Sequence, residues 1–179
     1  MIIAGIDYSY TSPAICVFDT NTELHFNNLK LFNCNGENKG HGVYGNITID
    51  KIMVYKSQEE RFRHLADWAF DILSSNKVEK VMLEGYSMGS KAGLIFQIAE
   101  NCSLLKQKLD LVNIDFICPS PSQVKKHFTG KGNATKDMMI DCFAAKYQID
   151  LFSILNLKRK KTNKPIDDLV EDIFSFLFS

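Results

Sequence analysis

Five acids stand out by type and position in this 179-residue chain: Asp7 and Glu84, each closing an apolar run, and Asp168, Glu171 and Asp172 near the C-terminus. In "IAGIDYSY" the apolar residues give out at Asp7, and in "KVMLEGY" they give out at Glu84, just before a glycine. A run apolar on both faces reads as a central strand, where an ionised side chain is costly unless paired or bound to a metal. Loops at the C-terminal ends of parallel strands form the crevice in which ligands bind, so two acids at such ends meet there if their strands are neighbours. In "PIDDLVEDIFSF" a 3.6-residue period gathers Leu169, Val170, Ile173, Phe176 and Leu177 on one stripe, with Asp168, Glu171, Asp172 and Ser175 on the other side. Acids early in a helix also complement its dipole, so this cluster alone is an ordinary solvated helix start. Joined with Asp7 and Glu84, it predicts an acidic pocket. Carboxylates so crowded stay ionised near neutral pH only beside cations, and hard oxygen ligands select Mg²⁺ or Mn²⁺. Two such ions about 3.5–4 Å apart support in-line phosphodiester hydrolysis, one activating water and the other stabilising the leaving 3′ oxygen.

The elements that must position these acids follow from pattern. Residues 2–8 and 14–19 read as strands on either side of a "TSP" turn, and 23–32 alternates loosely as a third, which together suggest an antiparallel meander. A polar, Gly- and Asn-rich loop spans 33–46, and 47–55 either adds a strand or leads into the next helix. Ser57 with Glu60 forms a capping-box pattern, after which Phe62, Leu65, Ala66, Ala69, Phe70 and Leu73 recur at helical spacing. "KVEKVMLEGY" follows as a strand, 90–109 as a helix with Leu94, Ile95, Ile98, Cys102 and Leu105 on one side, and "VNIDFICPS" as a strand. Phe96 lies off that stripe and either enters the chain's own core or meets a second subunit. Short helices are expected near 121–128 and 135–147, and a last one over 165–178 with proline at its start. Three strands followed by alternating helix and strand describe an α/β chain with a mixed sheet and helices on both faces.

Composition narrows the function classes. With 45% hydrophobic residues the chain suits one domain over 1–179. Cys16, Cys34, Cys102, Cys118 and Cys142 are scattered, and His25, His41, His64 and His127 form no ligand-spaced pair, so a zinc site or disulfide framework is not expected. The opening "MIIAGI" lacks a basic flank and a cleavage-like site, and no apolar run reaches eighteen residues, which predicts a cytoplasmic protein without a membrane partner. Formal charge is zero, yet residues 120–165 hold ten Lys and Arg against three Asp, leaving the remainder at −7. That basic block is either a solvated face or a phosphate-contacting surface.

Within it lies "PSQVKKHFTGKGNATKDMM": Gly130 and Gly132 bracket a turn, Asn133 or Thr135 caps the next helix, and Lys136 sits in its first turn. A lysine there opposes the helix dipole, so local stability does not explain it. With "AGIDYSYTSPAICVFD", "VMLEGY" and "PIDDLVEDIFSF" in the same order and context, the chain resembles the RuvC-type Holliday junction resolvases of the RNase H-like superfamily. The resemblance spans nearly the whole chain, and Lys125 and Lys136, eleven residues apart, carry its resolvase-specific part.

The resemblance implies an RNase H-like mixed five-stranded sheet, three antiparallel strands followed by parallel ones. It implies a homodimer that cuts four-way DNA junctions with two Mg²⁺ ions per active site, Mn²⁺ substituting, in a bacterial cell, a virus-infected host or an organelle. Asp7, Glu84 and Asp168 match metal ligands. Glu171 matches the fourth by spacing, although the family usually has Asp there, and Asp172 is its alternative. Lys125 and Lys136 match basic residues beside the scissile phosphate. Lys126 and Lys131 belong to the same DNA-facing block, and Tyr86 either stacks on a crossover base or fills space above the sheet. Two other readings share parts of the pattern. A flap or branched-DNA endonuclease would use the same acids, and an actin-like ATPase also opens with a strand, an Asp and a hydroxyl-rich turn. The ATPase needs two related domains and a second Gly-rich phosphate loop, for which the chain has no room.

Overall fold

Alternation within the strands decides what each face of the sheet receives. The computed structural model describes residues 1–36, 41–86 and 92–155, with backbone alone over 92–94. Among the described residues seven strands form one sheet: β1 (Ile2–Asp7), β2 (Ala14–Asp19), β3 (Leu29–Asn35), β4 (Gly42–Tyr44), β5 (Ile47–Lys51), β6 (Lys80–Leu83) and β7 (Asp115–Ile117). Their spatial order is β4-β5-β3-β2-β1-β6-β7. The expected meander is present, β1 and β2 pairing antiparallel, then β2 and β3. The expected parallel half is present too, in β1–β6 and β6–β7. The sheet exceeds the expected five strands because β5 joins β3 in parallel and β4 pairs antiparallel with β5.

β5 takes the strand alternative for 47–55, whereas β4 and the bounds of β3 correct the reading of 33–46 as loop and of 23–32 as strand. Phe26–Asn28 forms a 3₁₀ turn that buries Phe26, and β3 starts only at Leu29 and runs on to Asn35. The turn is held by Asn46, whose side-chain amide donates to the carbonyls of Phe26 (2.7 Å) and Leu29 (3.0 Å). Gly45 and Asn46 alone connect β4 to β5, and Gly45 has φ +62° at the first loop position, where a type II′ hairpin turn takes glycine.

Two helices cover one face. α1 (Gln58–Ser75) opens at Ser57, whose hydroxyl accepts the Glu60 N–H at 3.2 Å. The Glu60 carboxylate reaches one residue beyond the expected capping box, to the Lys56 N–H at 2.7 Å. α2 (Ala92–Leu111) packs against α1, and Cys102, Leu105 and Leu109 are buried with Leu65, Ala69 and Leu73 against Ala4, Ile6, Ile15, Val17, Val81 and Leu83. Phe96 is not part of this core, being 71% exposed. The opposite face carries α3 (Pro121–Thr129), α4 (Lys136–Tyr147) and the short α5 (Leu151–Ile154), with Phe128, Met139, Ile140, Phe143 and Leu151 packed on Cys16, Leu31 and Ile47. Among the described residues no helix is long and apolar enough to cross a membrane. The helix expected over 165–178 lies outside the described residues.

Candidate active site

Asp7 is the last residue of β1, and β6 lies parallel beside it with Ile6 opposite Leu83. The Glu84 N–H donates to the Ile6 carbonyl at 2.8 Å, which carries the register one step further and sets Glu84 beside Asp7. Neighbouring strands lie about 4.8 Å apart and opposed residues of a parallel pair share a face, so both carboxylates leave the same face at the C-terminal end of two adjacent strands. Ile6 and Leu83, one residue earlier, point to the α1–α2 core, so Asp7 and Glu84 point to the side of α3 and α4. Both acids are half-buried.

The row continues across the sheet. Asp7 is opposite Ala14, Ala14 opposite Asn33, and Asn33 opposite Ile49. Asn33 is fully buried, and its amide donates to the Ser12 hydroxyl (3.1 Å) and the Pro13 carbonyl (3.3 Å) while its oxygen accepts from Asn35 (3.0 Å). The Ser12 N–H in turn donates to the Ser9 hydroxyl at 2.8 Å, so the turn that follows Asp7 is tied by its own hydroxyls and by β3. Nothing in the sequence marked Asn33, because it sat in a stretch read as loop.

Gly85 fixes the approach from the other side. Its N–H donates to the Pro119 carbonyl at 2.7 Å, and a Cβ at this position would stand 2.9 Å from that oxygen. Only glycine allows so close a pass, and it holds the end of β7 and the start of α3 against the residue following Glu84. α3 begins with Pro121 and a complete capping box between Ser120 and Gln123, and ends at Gly130 with φ +78°. Gly132 folds the next turn onto α3, since a Cβ there would meet the Ser122 carbonyl at 3.1 Å. Thr135, one of the two expected caps, accepts the Met138 N–H at 3.3 Å, so Lys136 is the first residue of α4.

Lys125 on α3 and Lys136 on α4 are half-buried, whereas Lys126 and Lys131 are exposed. Tyr86 is partly buried against the α2 core. Its hydroxyl accepts from the Lys106 ammonium at 3.3 Å, and that ammonium lies 5.0 Å from its ring centroid. Burial alone would lower the Lys106 pKa, but the Tyr86 hydroxyl and the nearby Cys118 and Cys102 thiols turn the shift upward, so the cation is kept. Behind the acids, burial pushes the Cys102 thiol up to about 12, with Lys106 opposing and Asp7 adding to the rise. That thiol is inert packing.

Asp168, Glu171 and Asp172 lie outside the described residues. Among the described residues no group of three or more His, Cys, Asp or Glu side chains gathers where a metal could sit. Asp7 and Glu84 are thus a pair of hard oxygen donors on one face, a partial ligand set that fits a divalent cation such as Mg²⁺ better than a softer metal.

No protein-family model matches the sequence, and a search of curated proteins finds no match. The fold does match solved structures. RuvC from Thermus thermophilus superposes with TM-score 0.58 at 19% identity, over 98% of this chain and 92% of that one. The T. thermophilus RuvC complex with a Holliday junction substrate gives TM-score 0.60 at 17% identity, with the same coverage. The yeast mitochondrial Holliday junction resolvase Ydc2 gives 0.54 at 14% identity, over 97% of this chain and 75% of that one. The chain therefore has the fold of RuvC, as its sequence led us to expect.

Proposed function

We propose that this chain is a single-domain, structure-selective DNA endonuclease that resolves four-way junctions by divalent-metal-dependent hydrolysis, acting as a homodimer. The observation that carries the reading is the β1–β6 register, which brings Asp7 and Glu84 to one face at the open end of two parallel strands. Two acids 77 residues apart in sequence thus adjoin where the loops of parallel strands open a ligand crevice. The fold shared with RuvC, seen on a Holliday junction substrate, and with the resolvase Ydc2 supports a four-way junction as the substrate.

In this reading Asp7 and Glu84 hold the metals with Asp168 and with Glu171, or Asp172 in its place. Mg²⁺ or Mn²⁺ held by these acids would supply the Lewis-acid chemistry that activates water and stabilises a leaving oxygen. The chain's own groups do the rest. Lys136 and Lys125, on the helices over the acid-bearing face, neutralise charge developing on the scissile phosphate. Exposed Lys126 and Lys131 grip neighbouring phosphates, which orients the strand without reading sequence. Tyr86 stands near the crossover, its hydroxyl braced by Lys106. A two-fold dimer on a two-fold junction makes paired incisions the natural outcome.

The deciding experiment offers the wild-type chain a synthetic four-way junction, a flap, a fork and a linear duplex, in Mg²⁺ and in Mn²⁺. Paired, symmetric nicks in the junction are expected. Preferential cutting of the flap or fork would reassign the substrate, and no metal-dependent cutting of any of them would overturn the proposal.

A further inference from the structure

A hollow of about 430 Å³ opens beside the N-terminus of α1, walled by Tyr10, Met53, Tyr55, Lys56, Gln58 and Arg61. Tyr10 belongs to the loop leaving β1, three residues after Asp7, so the hollow lies at the same end of the sheet as the two acids. Three residues carry the Tyr10 backbone at most about 11 Å from Asp7.

Arg61 is the distinctive wall. Its guanidinium carbon lies 4.2 Å from the Tyr10 ring centroid and 5.8 Å from that of Tyr55, and Tyr10 is itself braced edge-on by Phe62 at 5.8 Å. Aromatic packing thus fixes the guanidinium plane in advance of any ligand. Its Nε is buried with no hydrogen-bond partner, and among the described residues Arg61 forms no ion pair. Of the two acids in the first turn of α1, Glu60 is engaged by the Lys56 N–H at 2.7 Å and Glu59 is exposed. Arg61 as a whole is half-buried, and a phosphate oxygen is the acceptor to which a guanidinium held in this way is matched. Lys56 is exposed at the rim and adds a second cation.

We infer that this hollow is a phosphate subsite of the DNA strand, in which Arg61 and Lys56 hold a backbone phosphate flanking the cut. The inference rests on the endonuclease reading and adds to it a contact on the α1 side of the sheet, apart from the lysines of α3 and α4.

The test measures metal-free binding of a four-way junction by anisotropy, with a single neutral methylphosphonate moved through the positions flanking the cut. Arg61→Gln is expected to weaken binding about 10-fold and to reduce the slope of log K against log salt by about 1, with Arg61→Lys recovering part of the affinity. One methylphosphonate among the positions flanking the cut is expected to cost the wild type a similar factor and to cost Arg61→Gln nothing further. Wild-type affinity and salt slope in Arg61→Gln would overturn the inference. So would a wild-type scan with no sensitive phosphate among the flanking positions, which needs no variant to fold. A wild type that binds no junction would instead contradict the endonuclease reading itself.

Discussion

On the face of the sheet covered by α1 and α2, the row near the open end of β1 reads Phe32, Ile15, Ile6 and Leu83, all apolar and packed. One residue further on, the row on the other face reads Asn33, Ala14, Asp7 and Glu84. The same strands make both rows, so the difference between a packed wall and a chemical edge is one step of side-chain alternation. A one-residue slip between β1 and β6 would drive a carboxylate into the α1–α2 core, where an unpaired charge is costly, and this pins the register as firmly as the apolar residues do. The polar row also explains why small Ala14 sits between Asp7 and Asn33, leaving room above the strand ends.

Substitutions on the two rows should therefore fail in different ways. The largest effect is expected from Asp7→Asn or Glu84→Gln: losing even an outer-shell partner of a metal ligand costs 10–100-fold, so loss of the ligand itself should lower single-turnover junction cleavage by more than about 100-fold. Binding of the same junction in gel shift should remain near wild type, because the basic surface is untouched. On the packed row, Leu83→Ala should cost about 2–5 kcal/mol in denaturant unfolding and leave the cleavage rate of the folded fraction near wild type. Gly85→Ala, which forces a methyl against the Pro119 carbonyl, should cost about 1–3 kcal/mol and also slow cleavage, because relief requires moving Glu84 or the start of α3. Asn33→Leu should cost about 1–2 kcal/mol by stranding the Ser12 and Asn35 side chains, with a smaller loss of rate than Gly85→Ala. If Asn33→Leu instead matched Asp7→Asn in lost cleavage, the polar row would have to be read as one functional unit.

Legibility from sequence followed the same division. Asp7 and Glu84 could be placed because each interrupts an apolar run, and the Ser57 cap and the apolar spacing from Phe62 to Leu73 marked α1. The Gly130–Thr135 segment was legible because glycine and threonine have few other reasons to stand there. The stretch 33–46 was not, since Asn and Gly outweighed the Gly-Asn hairpin signal between two short strands. Gly85 was visible, but its reason, the Pro119 carbonyl, is a long-range contact that no local pattern encodes. Phe96 was open between core and subunit contact, and its exposure excludes the core. Arg61 was invisible as a site residue because its aromatic partners come from two separate loops.

The most direct test of the central claim is Mn²⁺ binding followed by electron paramagnetic resonance in the full chain, for the wild type, Asp7→Asn, Glu84→Gln and the packed-row control Leu83→Ala. The paired-carboxylate account predicts saturable binding in the wild type and in folded Leu83→Ala, weakened at least about 10-fold in each acid variant. Equal Mn²⁺ affinity in all four proteins would contradict it.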